Sequence, residues 1–112
     1  MAKINSFTYG SIVIDNVEYG HDVYILPSGK VEERPYGHTF TKDQINYISK
    51  EKPDAVFVGK GTSGLASLSD DARSLLEKEG IEIIEDDTPN IKDKFNDLSK
   101  IKRVAAIIHI TC

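Results

Sequence analysis

Three glycines at the spacing G-x-G-x-x-G (Gly59, Gly61 and Gly64) directly follow the apolar run Ala55-Val56-Phe57-Val58. Glycine lets backbone N–H groups converge on a concavity that a side chain would close. Gly59, Lys60, Gly61, Thr62 and Ser63 are therefore candidate residues for holding a small molecule or an anion. Glu85 and Asp86 lie about 20 residues on, which completes a dinucleotide fingerprint on paper. Three features oppose that assignment. The next helix is predicted to start near Ser69, too far along to aim its N-terminus at a pyrophosphate. About 50 residues follow the motif, one mononucleotide half at most. The strand is also not the first of the fold. A P-loop is excluded, because Lys60 is misplaced and no Gly-Lys-Ser/Thr follows four residues after a glycine. A plain glycine turn at a strand end explains the same residues without any ligand.

Asp87-Thr88-Pro89-Asn90 is the second place of interest. It follows a strand at Ile81–Ile84 as the glycine loop follows its own strand. In a parallel sheet both turns would share the carboxyl edge, where open α/β sheets bind ligands. Thr88 joins the candidate anion-binding residues on that ground. It is also predicted to cap a helix with Pro89 at the first position, a purely structural duty.

The remaining reactive side chains make a thinner case. His21, His38 and His109 are the only histidines. His109 falls in an apolar strand, where a hydrogen-bonded core histidine is the ordinary outcome. On a strand His109 and Cys112 point to opposite faces, so they would not share a metal unless the strand ended near Ile110. No second Cys or His stands at zinc spacing, so no metal and no cofactor are expected. Ser63 and Ser67 lack a G-x-S-x-G elbow. Cys112 has no evident base in the sequence, and the acidic runs Glu32-Glu33 and Glu85-Asp86-Asp87 read as solvated strand ends. No catalytic residue is assigned.

These residues need elements to position them. The N-terminal half predicts a meander of short antiparallel strands: Ile4–Tyr9, Ser11–Ile14, Val17–Tyr19, Asp22–Leu26 and Lys30–Arg34. Turns fall at Gly10, Asp15-Asn16, Gly20-His21 and Pro27-Ser28-Gly29. Tyr36-Gly37-His38 is read as a loop. Thr41 with Gln44 forms a capping box for a helix carrying Ile45 and Ile48. Ser69 then caps a helix with the apolar stripe Ala72, Leu75 and Leu76, and Gly80 ends it. Ile91, Phe95 and Leu98 mark a third helix, and Val104–Ile110 a final apolar strand. Strand–helix–strand–helix–strand predicts parallel strands with packed helices. The fold class is mixed α/β: a single domain over residues 1–112, in which the meander extends the sheet or covers one face.

Composition sets the outer bounds. The chain has 112 residues, a formal net charge of −4 and one cysteine. That charge argues against broad binding to nucleic acid or to an anionic membrane. Lys100, Lys102 and Arg103 form a local basic cluster at a strand entrance. A lone cysteine fits a reducing compartment, the opening residues lack the apolar run of a secretory signal, and Val104–Ile108 is too short to span a bilayer. A cytoplasmic protein, monomeric or weakly dimeric, is the expectation.

The order of Val56-Phe57-Val58-Gly59-Lys60-Gly61, Gly80-Ile81, Asp87-Thr88-Pro89-Asn90, Phe95-Asn96 and Leu98 resembles a small family of proteins of unknown function. That family includes the adipogenesis-associated protein of animals and a mitochondrial complex I assembly factor. The tail His109-Ile110-Thr111-Cys112 resembles the adipogenesis-associated branch. The resemblance implies a mixed sheet with two or three helices and no established catalytic activity. It favours a non-enzymatic protein-binding or assembly module over the alternative, a binder of a small molecule or anion at Gly59–Ser63 and Thr88. An exposed apolar patch away from the glycine loop would support the first.

Overall fold

The computed structural model describes residues 2–112. Its centre is a five-stranded mixed sheet in the order β5-β4-β10-β7-β9, built from β4 (Val23–Ile25), β5 (Val31–Glu33), β7 (Ala55–Lys60), β9 (Glu82–Asp86) and β10 (Val104–His109). β9, β7 and β10 run parallel, while β4 and β5 are antiparallel additions beyond β10. The predicted β-α-β-α-β unit is thus present, and the second half of the meander extends its sheet. The first half does the other thing. β1 (Ile4–Thr8), β2 (Ser11–Ile14) and β3 (Val17–Tyr19) form a separate antiparallel sheet.

Side-chain alternation explains the layers. On β7 and β10, Ala55, Phe57, Val104, Ala106 and Ile108 face one way. They meet Ile4, Ile12 and Ile14 of the small sheet, and Ile91 and Phe95 of α3 (Ile91–Leu98). Val56, Val58, Ala105 and Ile107 face the other way. They meet Ile45 and Ile48 of α1 (Lys42–Ser49), and Ala72 and Leu76 of α2 (Asp70–Lys78). Both central strands are buried on both faces, which is why their sequences are continuously apolar.

The signals that act within a few residues hold in the fold. Asp15 and Asn16 both have positive φ, 51° and 66°, as a tight two-residue hairpin requires. Ser69 Oγ accepts from Ala72 N at 3.3 Å. Gly80, at φ 69°, ends α2 with Ile81 N donating to Leu76 O and Gly80 N to Glu77 O, both orphan carbonyls being satisfied in a Schellman arrangement.

Two expectations are corrected. Half of the capping box forms, with Gln44 N donating to Thr41 Oγ1 at 3.2 Å, but the Gln44 side chain accepts from Arg34 Nε at 3.1 Å instead of returning to Thr41. Tyr36-Gly37-His38 is the predicted loop, and just after it a two-residue strand, β6 (Thr39–Phe40), pairs in parallel with β8 (Ser67–Leu68). Thr88 caps no helix through its side chain. A 3-10 turn, Thr88–Asn90, comes first and α3 begins at Ile91.

Candidate functional site

The two turns do meet. Gly61 N donates to Thr88 Oγ1 at 2.9 Å, and Thr88 N donates to Gly61 O at 3.1 Å. The same hydroxyl donates to His109 O at 2.7 Å, so Thr88 is a buried tie between β7, the 3-10 turn and β10. That demand outcompetes capping, because a buried amide and carbonyl left unpaired are costly.

The glycines serve close approach between chain segments. Gly61 has φ +92°, and a Cβ there would lie 2.6 Å from the Cys112 carbonyl carbon and 2.9 Å from Cδ2 of His109. At Gly59 it would lie 3.0 Å from Thr88 Oγ1, and at Gly64 2.5 Å from Asp87 Oδ1. The amides follow suit: Thr62 N donates to Thr111 O at 2.7 Å and Leu65 N to Cys112 O at 3.2 Å. The loop wraps residues 109–112. Thr62 and Ser63 are exposed and Lys60 is half-buried.

Behind that loop lies a buried charged cluster. Asp22, Arg34 and His109 are 3%, 1% and 0% exposed. Asp22 Oδ2 accepts from Arg34 Nη1 at 2.5 Å and from Nδ1 of His109 at 2.7 Å, while Oδ1 accepts from Ile110 N at 2.9 Å. Arg34 also donates to Gly37 O and Thr39 O, both at 3.0 Å, and lies over the Phe40 ring. Burial pushes its guanidinium below the ordinary value, and Asp22 pulls it back up. No buried side-chain polar atom among the described residues lacks a partner.

The ring of His109 carries the cluster outward. Its Nε2 lies 3.1 Å from Thr111 Oγ1, and its ring packs 5.0 Å from His38 and 5.5 Å from Tyr36, centroid to centroid. His38 Nε2 is 3.8 Å from Cys112 Sγ. Among the described residues no group of His, Cys, Asp and Glu is arranged to hold a metal ion. Asp22, Arg34, Tyr36 and Thr111 line a cavity of about 240 Å³, with His21 at its edge. The sequence reading treated His109 as a hydrogen-bonded core residue, which it is, but missed Asp22, Arg34 and Thr111. Only the strand pairing brings Asp22 and His109 together. Asp22 opens a β-prone run and His109 closes another, and the pair Ile108–Val23 in the β10–β4 register puts those two polar residues opposite each other one step further on.

A different feature marks the β9 edge of the central sheet. An open groove of about 570 Å³ runs between β9 and α3, floored by Phe57, Ile84 and Leu98 and rimmed by Ile101, which is 77% exposed. β9 pairs only with β7, so its other edge is free among the described residues.

Solved structures share this architecture over nearly the whole chain. The conserved hypothetical protein PH1505 from Pyrococcus horikoshii OT3 is 32% identical, with a TM-score of 0.90 over 98% of this chain and 99% of its own. An outer membrane protein from Bartonella henselae is 22% identical, with a TM-score of 0.85 over 99% of this chain and 96% of its own. A Mth938-like domain protein from Bordetella pertussis is 16% identical, with a TM-score of 0.71 over 96% of this chain and 85% of its own. The last two likenesses concern the fold alone. No helix among the described residues is long and apolar enough to cross a membrane. No curated protein matches the sequence. The model of a protein of unknown function, DUF498/DUF598, matches residues 4–109, and the chain belongs to that family.

Proposed function

We propose that the protein is a binding module that takes an extended segment of a partner protein along the free edge of β9. The observation that carries this is Ile101, 77% exposed at the rim of an apolar groove that flanks an unpaired strand. A bound strand would complete the β9 ladder and drop alternate apolar side chains onto Ile84 and Leu98. A second copy of this chain is a poor occupant. Antiparallel pairing of two β9 strands about Ile84 would set Glu82 against Asp86, and like charges directly opposite are destabilising. A partner segment with an apolar residue opposite Ile84 and a basic residue two positions away, on the same face and opposite Glu82, suits the strand edge and the groove together. The single cysteine fits such a module working in the cytoplasm. A photo-crosslinking residue at position 101 tests the reading. A discrete hetero-adduct, absent with the crosslinker at Tyr9, is expected. A homodimer adduct, or equal labelling from both positions, would overturn it.

The alternative, an anion at Gly59–Ser63 and Thr88, draws on Lys60 and the exposed Thr62 and Ser63. Its weakness is that the amides of Gly61, Thr62 and Leu65 already have acceptors within the chain. Pyrophosphate at 100 times its dissociation constant should stabilise a true binder by about 2.7 kcal/mol. No thermal shift across a broad anion panel would dismiss it.

A further inference from the structure

We propose that Thr111 is a nucleophile toward short-chain acyl esters, activated by His109 and oriented by Asp22, in the polar cavity at the carboxyl end of β10. Asp22 accepts the Nδ1 proton of His109 at 2.7 Å, which leaves Nε2 of the neutral ring as an acceptor. That nitrogen lies 3.1 Å from Thr111 Oγ1, within reach for taking its proton. The two side chains are two residues apart in the chain, just where β10 ends. The base and its orienting carboxylate are buried, whereas Thr111 is half-buried and lines the cavity. The result is a buried acid–base pair behind a hydroxyl that lines the cavity. Arg34 is a positioning residue. It anchors the same Asp22 oxygen, and its remaining hydrogen bonds go to Gly37, Thr39 and Gln44.

The cavity volume of about 240 Å³ sets the substrate class. It equals the share of about eight liquid waters, room for a short acyl ester. Thr111 Oγ attacks the ester carbonyl carbon as its proton passes to His109 Nε2. The ester C–O bond breaks, and the leaving oxygen takes that proton. Water, deprotonated by the same nitrogen, then cleaves the threonyl ester, releasing the acid and restoring the hydroxyl.

A purely structural hydrogen bond would also satisfy Nε2, so the test must read chemistry. The full chain is mixed with p-nitrophenyl acetate, and the nitrophenol burst and the acetylated peptide are measured. Acetylation of Thr111 with a matching burst is expected. Thr111→Val should reduce both at least tenfold while leaving the fold intact by circular dichroism, and Thr111→Ser should retain them. Cys112→Ser should leave the burst unchanged, which separates hydroxyl from thiol chemistry. Acetylation that maps to Cys112 or lysines, a burst undiminished in Thr111→Val, or no burst above that of the heat-unfolded chain would each overturn the proposal.

Discussion

His109 holds its Nδ1 2.7 Å from the carboxylate of Asp22, a residue 87 positions earlier in the chain. One oxygen of that carboxylate also receives Arg34, and the other receives the Ile110 amide. A single buried side chain therefore joins β10, the start of β4 and the end of β5.

Asp22→Ala should destabilise the fold by about 3–5 kcal/mol, because it strands a buried guanidinium without its partner. Urea unfolding measures this. Replacing Asp22 and Arg34 together by apolar residues of similar volume should cost clearly less than Asp22→Ala alone, since no charge is then left unpaired. Equal losses in the two variants would mean that packing, not charge, dominates there.

Thr88→Val removes a hydroxyl of nearly the same shape and leaves Gly61 N and His109 O without their partner. A loss of about 1–3 kcal/mol is expected for such buried groups. Amide exchange at Gly61 should accelerate, with little change in α3. Fraying of α3 with Gly61 still protected would instead identify Thr88 as a cap.

Gly61→Val and Gly10→Ala separate two reasons for glycine. Both positions have positive φ, +92° and +80°, but an added Cβ at Gly10 meets nothing within 4 Å. Gly10→Ala should cost only the left-handed backbone term, about 1–2 kcal/mol. Gly61→Val should cost more and shift the amide resonances of residues 109–112, because its Cβ would collide with Cys112 and His109. A loop and tail unmoved in Gly61→Val would refute this account.

Asp86 titrates low, at about 2, held down first by Lys94 at 2.7 Å and then by Asn90 and the Asp87 amide. A carboxylate depressed on folding stabilises above its unfolded value, and the contribution disappears as pH falls through the folded one. Stability from this contact should therefore be complete at neutral pH and decline between about pH 4 and 2. Lys94→Ala should move the Asp86 titration upward, as read from its side-chain carbon shift by NMR. An unmoved titration would assign the depression to the other two donors.

Much of this protein was written in short stretches of sequence. Asp15-Asn16, Ser69, Gly80 and the alternation in β7 and β10 act within a few residues, so their turns, caps and buried strands could be read directly. Membership of the family was legible in stretches such as Val56–Gly61, Gly80-Ile81 and Asp87–Asn90, and the expected gathering of residues 59–63 and 88 followed from parallel crossovers. What the residues do there was decided elsewhere. Thr88 has the right chemistry for a cap and for a buried tie, and only the arrival of Gly61 and His109 selects the tie. Asp22, Arg34 and Thr111 carry no local mark, because their partners come from strands paired across most of the chain. Long-range pairing chooses among hydrogen bonds that each segment alone would satisfy with water, which is why the charged cluster emerged only from the tertiary structure.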